Sequence, residues 1–150
     1  MRPGDHETRE RVLNPEQSFI VQAPAGSGKT ELLVRRYLRL LGVVNAPEEI
    51  VAITFTRKAA AVMRNRIIEA LKTGEPGDAD NGSEEDAIAQ ARRRLAAPAL
   101  ARDRELNWQL AQNPARMRIQ TIDSFCAGLT QQMPLLSLLA GQPEIIEDAE

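Results

Sequence analysis

The residues Ala23-Pro24-Ala25-Gly26-Ser27-Gly28-Lys29-Thr30 form a glycine-rich turn closed by Lys-Thr, directly after the apolar run Phe19-Ile20-Val21. Glycines at 26 and 28 allow the backbone to curl so that successive N–H groups point inward at phosphate oxygens, and a helix starting at the end of the turn adds its positive pole. In that arrangement Lys29 reaches the terminal phosphates and the Thr30 hydroxyl is a magnesium ligand. The usual pattern opens with glycine, and here that position is Ala23. The bland alternative is a glycine turn with a chance lysine. A preceding strand, the intact Gly-Lys-Thr end and a following helical pattern favour the phosphate-binding loop.

A loop of this kind works only between a strand and a helix, so the flanking elements are the next test. Ser18 to Gln22 is apolar enough for a central strand. From Thr30 to Leu41, Leu33, Tyr37, Leu40 and Leu41 recur at helical spacing while Arg35, Arg36 and Arg39 point elsewhere, with Gly42 as a stop. Ile50 to Phe55 is a second β-rich run, and strand-helix-strand is the unit of a parallel sheet. A second helix is expected over Lys58 to Lys72, with Met63, Ile67 and Leu71 on one stripe. Residues 73 to 86 combine glycine, proline and acids and are expected as a mobile loop. Ala87 to Gln112 reads as helix interrupted at Pro98, Met117 to Ile122 as the third strand, and Asp123 to Gln132 as a short helix capped by Asp123.

Composition narrows the chemistry. The 150 residues are 43% hydrophobic, enough for one core, and the formal net charge of −2 says little because the charges are segregated along the chain. A single cysteine excludes an intrachain disulfide and a cysteine metal cluster; Cys126 is expected as a small buried filler. The single histidine, His6, lies in a polar leader and is expected to be solvated, which argues against Ser-His-Asp catalysis and paired-histidine zinc sites. No apolar run approaches bilayer length and Met1 to Arg11 is charged, so no membrane partner is expected and the cytoplasm is the default. Arg92-Arg93-Arg94 is expected to be a solvated face.

Three motifs in order, the phosphate loop, then Ile53-Thr54-Phe55-Thr56-Arg57-Lys58-Ala59-Ala60, then Ile119-Gln120-Thr121-Ile122-Asp123-Ser124-Phe125-Cys126, each end a predicted strand. Together they resemble the UvrD/Rep-type superfamily 1 DNA helicases, and the Thr-Ile-Asp-Ser-Phe-Cys form resembles the AddA and RecB helicase/nuclease branch. The resemblance covers Leu13 to Gln132. It implies an α/β fold, a P-loop NTPase (RecA-like) parallel sheet flanked by helices, here incomplete. It also implies ATP and Mg2+ as cofactors and single-stranded DNA as partner, with 3′ to 5′ polarity. An exonuclease role in double-strand break repair beside a helicase/nuclease partner subunit is a further implication.

Carried over residue by residue, the resemblance assigns nucleotide binding to Gln17 and to Ala23, Pro24, Ala25, Gly26, Ser27, Gly28, Lys29 and Thr30. Lys29 and Thr30 are the catalytic pair and Thr30 the Mg2+ ligand. The Gln17 amide, in Asn14-Pro15-Glu16-Gln17, can donate to and accept from an adenine edge at once. DNA contacts are assigned to Thr54, Phe55, Thr56, Arg57, Lys58, Thr121 and Ser124, with Phe55 as the stacking ring and Arg64 and Arg66 as further cationic surface. Many relatives carry histidine at Asp123; an acid there would repel phosphate, so it receives no DNA role. Residue type alone would make Phe55 strand-end core.

Hydrolysis in this class needs an apolar strand ending in Asp-Glu, and Glu144-Ile145-Ile146-Glu147-Asp148 is a poor approximation. The expected organisation is therefore a polar leader over residues 1–12, the N-terminal part of a RecA-like domain over 13–133, and a truncated continuation over 134–150. Such a piece of a longer motor would bind nucleotide and DNA with little turnover. A small P-loop kinase and a vestigial, non-catalytic nucleotide-binding module are the alternatives.

Overall fold

A computed structural model of the chain describes residues 3–73 and 84–132. Most of the expected acidic loop, the continuation beyond residue 133 with its Glu-Asp run, and the His6 side chain lie outside the described residues. In chain order the elements are α1 (Pro3–Val12), α2 (Lys29–Leu41), β1 (Val51–Thr54), α3 (Arg57–Lys72), α4 (Glu84–Glu105), β2 (Arg118–Thr121) and α5 (Ile122–Gln132).

The two strands pair in parallel with Val51 opposite Arg118 and Thr54 opposite Thr121. Side chains alternate across a strand, so Ala52, Thr54, Ile119 and Thr121 share one face and Val51 and Ile53 the other. The first face is covered by α3, and Ile119 is buried there, whereas Val51 and Ile53 are exposed. Behind α3 lie α2 and α4, and Leu38, Leu41, Ile67, Leu110 and Met117 are fully buried in the shared core. The apolar stripes of α2 and α3 read from the sequence therefore do face a common interior, although Leu33 itself is exposed.

Two short 3-10 turns, Pro47–Glu49 and Pro114–Arg116, lead into the strands and are clamped together. The Arg116 guanidinium donates from Nε to Glu48 Oε1 at 2.6 Å and from Nη2 to Glu48 Oε2 at 3.1 Å, a bidentate pair that fixes where the two strands begin. These hydrogen bonds hold the Glu48 carboxyl below its usual range. The stabilisation is present at neutral pH and fades as pH falls through the depressed value. Both groups are partly exposed, so the solvent-screened pair matters more for register than for stability.

Three expectations change. The run Ser18 to Gln22 forms no strand: Ile20 is fully exposed and, among the described residues, the run has no ladder partner. A strand exists only where a neighbour accepts its N–H and C=O groups. Here the segment is instead tied to α2 through Arg36, whose guanidinium donates to the carbonyls of Val12, Asn14 and Gln17 and lies 5.5 Å from the Phe19 ring centroid. Helix α4 also begins earlier than expected, at Glu84, and runs straight through Pro98 to Glu105. Ala96 and Ala99 are wholly buried and Pro98 packs so closely on Gly42 that a Cβ there would stand 3.0 Å from Pro98 Cβ. That packing outweighs the interior proline, which costs about 3 kcal/mol. Finally, the cap of α5 is Thr121, whose hydroxyl accepts from the Ser124 N–H at 3.2 Å, and Asp123 stands inside the first turn.

Tyr37 carries a buried hydroxyl without a hydrogen-bond partner among the described residues, and burial pushes its ionisation far above the usual range. Removing an orphaned hydroxyl relieves a desolvation penalty of about 1 kcal/mol. Tyr37→Phe is accordingly expected to raise the urea midpoint, and a lower midpoint would show that the hydroxyl has a partner.

Candidate functional site

The glycine loop is built by backbone conformations that only glycine adopts without strain. Gly26 has φ of 77° and Gly28 φ of 81°, both left-handed, and Gly28 is also the N-cap of α2. Its carbonyl accepts the first helical bond from Leu32 N–H at 3.0 Å, so the turn passes directly into the positive end of a helix. From α1, Arg9 Nη2 donates to the Ser27 carbonyl at 2.7 Å and holds the loop from behind. Lys29 Nζ folds over the loop and donates to the Ala23 and Pro24 carbonyls, each at 2.6 Å. Ser27 Oγ is buried with no partner among the described residues.

Among the depressions that border this loop are two lined by its glycines. One, of about 440 Å³, is lined by Ala25, Gly26, Gly28, Lys29, Thr30 and Glu31 together with Arg66 from α3. The other, of about 240 Å³, lies between α1 and the run before the loop and includes Arg9, Phe19, Val21 and Leu32. Gln17 lines neither; it is exposed, in a turn organised by Asn14, whose Oδ1 accepts from the Glu16 N–H at 3.0 Å. The donor types suit a polyphosphate with a magnesium ion: an ammonium, the amides of a left-handed glycine turn and an exposed threonine hydroxyl line one depression, and one buried serine hydroxyl has no partner among the described residues.

The other two motifs meet at one edge. Register puts Thr54 and Thr121 side by side at the carboxyl ends of β1 and β2, where ligands gather in open parallel sheets. Thr54 Oγ1 donates to the Thr56 carbonyl at 3.0 Å, and Thr56 Oγ1 accepts from the Ala59 N–H at 3.1 Å, capping α3. Thr121 Oγ1 lies 2.9 Å from Ser124 Oγ. Directly after β1, Phe55 is 91% exposed, so it contributes nothing to the core, and Arg57 and Lys58, two and three residues on, are exposed as well.

Residues 5–148 match the family model of the UvrD/REP helicase N-terminal domain. The chain belongs to this family. Among its relatives are DNA helicase II of Escherichia coli, 49% identical over 70 residues (46% of this chain and 10% of the relative), and DNA helicase IV of the same organism, 51% identical over 63 residues (41% and 9%). An ATP-dependent helicase/nuclease protein of the AddA type from Levilactobacillus brevis is 34% identical over 134 residues, covering 85% of this chain and 9% of the relative. The chain thus spans about a tenth of the length of these relatives. No solved structure matches it. Membership in the helicase family displaces the small-kinase alternative, and the α/β arrangement with its parallel pair agrees with part of a RecA-like layer.

In this helicase-family chain several side chains serve differently from the sequence expectation. Arg64 donates from Nη2 to the Ile119 carbonyl at 2.6 Å, joining α3 to β2 rather than facing outward. Arg66 turns to the phosphate loop. Arg92, expected on a solvated face, donates from Nε to Glu31 Oε1 at 3.0 Å across the α2–α4 interface, a pairing between residues too distant in sequence to be legible. Cys126 is exposed rather than buried. No group of three potential metal-ligating side chains, and no helix long and apolar enough to cross a membrane, occurs among the described residues.

Proposed function

We propose that this chain is the ATP-binding and DNA-contacting beginning of an ATP-dependent 3′ to 5′ DNA helicase, working in the cytoplasm and joined to a helicase/nuclease partner. The observation that carries the reading is the loop itself, with two left-handed glycines opening onto the N-terminus of α2 beneath the Lys29 ammonium. Amides of Gly26 to Thr30 bind the phosphates, Lys29 exchanges the Ala23 and Pro24 carbonyls for β- and γ-phosphate oxygens, and the Thr30 hydroxyl holds Mg2+. Magnesium, when bound, neutralises charge on the terminal phosphates. Gln17 reads adenine.

On the neighbouring edge Phe55 offers a stacking face to an unpaired base, while Arg57 and Lys58 neutralise backbone phosphate. Thr54, Thr56, Thr121 and Ser124 border the same track, and their hydroxyls organise the two strand ends that present it. Opening and closing of a second ATP-binding lobe would convert hydrolysis into movement along DNA, and the described residues form part of the first lobe. The likeness to helicase/nuclease proteins supports a link to nuclease activity.

The test is thermal unfolding with magnesium and ATP. A ligand at a hundred times its dissociation constant stabilises the native state by about 2.7 kcal/mol, so the midpoint is expected to rise by several degrees. An unchanged midpoint at millimolar nucleotide would favour the vestigial module.

A further inference from the structure

We propose that Arg66, on α3, is a ligand of the nucleotide's terminal phosphate and makes this site discriminate ATP from ADP; the inference rests on the nucleotide reading above. Glu31, next to the loop on α2, is shared by three arginines. Arg35 Nε and Arg92 Nε both donate to Oε1, at 3.2 and 3.0 Å, and both side chains are largely covered. Arg66 differs. Its Nη1 stands 4.0 Å from Glu31 Oε2, an ion pair without a hydrogen bond, and its side chain is 41% exposed. Three cations thus surround one anion, and the most weakly held of them is the one that lines the 440 Å³ depression with Lys29 and Thr30.

Lys29 and Thr30 mark the end of the loop where β- and γ-phosphates lie. A guanidinium there makes bidentate, charge-assisted bonds to a phosphate, stronger than its long contact with Glu31, so a terminal phosphate draws Arg66 across. A diphosphate leaves that position unfilled and Arg66 with Glu31. The arginine sits on the same helix whose first turn carries Arg57 and Lys58 next to Phe55.

The experiment is calorimetric titration of the 150-residue chain with magnesium-ATP and magnesium-ADP, for the wild type, Arg66→Ala and Arg66→Lys, with unfolding midpoints measured alongside. Arg66→Ala is expected to weaken ATP roughly tenfold while ADP changes by less than about twofold, as loss of one charged hydrogen-bonded contact predicts. Arg66→Lys, which keeps the charge without the fork, is expected to fall between. Equal losses for both nucleotides, or no loss for either, would overturn the proposal. Should Arg66→Ala lower the midpoint, the lysine variant decides through the same ATP-to-ADP ratio. A wild-type chain that binds neither nucleotide would overturn the loop reading as well, an outcome distinct from intact binding that ignores Arg66.

Discussion

Lys29→Ala is expected to weaken binding of magnesium-ATP about a hundredfold, since an ammonium bound to phosphate oxygens contributes charged hydrogen bonds worth roughly 1.5–3 kcal/mol each. The fold should not suffer. Lys29 is exposed, and its Nζ contacts given by the structure are to two carbonyls of its own loop. The two left-handed glycines and the Arg9 bond to Ser27 remain to shape the turn. Calorimetry on the variant, with its unfolding midpoint as control, checks both halves of the expectation. Unchanged affinity would mean that the ammonium does not touch phosphate, and the loop would then be only a turn.

Phe55→Ala is the second large effect, and it concerns DNA alone. A base stacked on an aromatic ring contributes about 1–3 kcal/mol, so affinity for a short single-stranded oligonucleotide should drop roughly tenfold. Because Phe55 is 91% exposed, the substitution removes almost no buried area and the midpoint should stay where it is. Fluorescence anisotropy at two salt concentrations separates stacking from charge: Phe55→Ala leaves the salt slope alone, whereas removing Arg57 flattens it. A loss of stability without loss of binding would return Phe55 to the strand-end core that its residue type suggested.

Local pattern carried much of this fold. Helices α2 and α3 were legible because Tyr37, Leu41, Met63, Ile67 and Leu71 repeat at the spacing of one helical face, and all five are buried. β1 and β2 were legible as short β-rich runs, whereas the strand-helix-strand unit expected from Ser18 to Phe55 lacks its first strand, and the parallel pair is made across α3 and α4 instead. What failed depended on distant partners. The run Phe19 to Val21 has the composition of a buried strand, yet composition does not provide the neighbour that would accept its hydrogen bonds. Pro98 stops helices in isolation, and only its seat on Gly42 explains why α4 continues.

The site divides in the same way. The left-handed turn at Gly26 and Gly28 could be read from residue type because backbone curvature restricts what can stand there, and the roles proposed for Lys29 and Thr30 rest on the same pattern. Arg66 and Glu31 could not. One acid and three arginines spread over three helices become a cluster only after packing, and a basic helix face gives no hint of which arginine turns inward. Arg64 illustrates the point: two residues before Arg66, it is spent on the Ile119 carbonyl of β2. Asp123 lost its cap role to Thr121 because the strand ended one residue earlier than its apolar pattern suggested.

In the proposed function, backbone amides of the loop close around a polyphosphate. Nitrogen-proton correlation spectra of the labelled chain, recorded while a non-hydrolysable ATP analogue and magnesium are titrated in, observe those amides one by one. The largest shifts are expected on Gly26, Ser27, Gly28, Lys29 and Thr30, with the Arg66 side-chain signal moving in step. Saturating nucleotide that leaves these five amides in place, or that shifts only residues elsewhere, would contradict the proposed function.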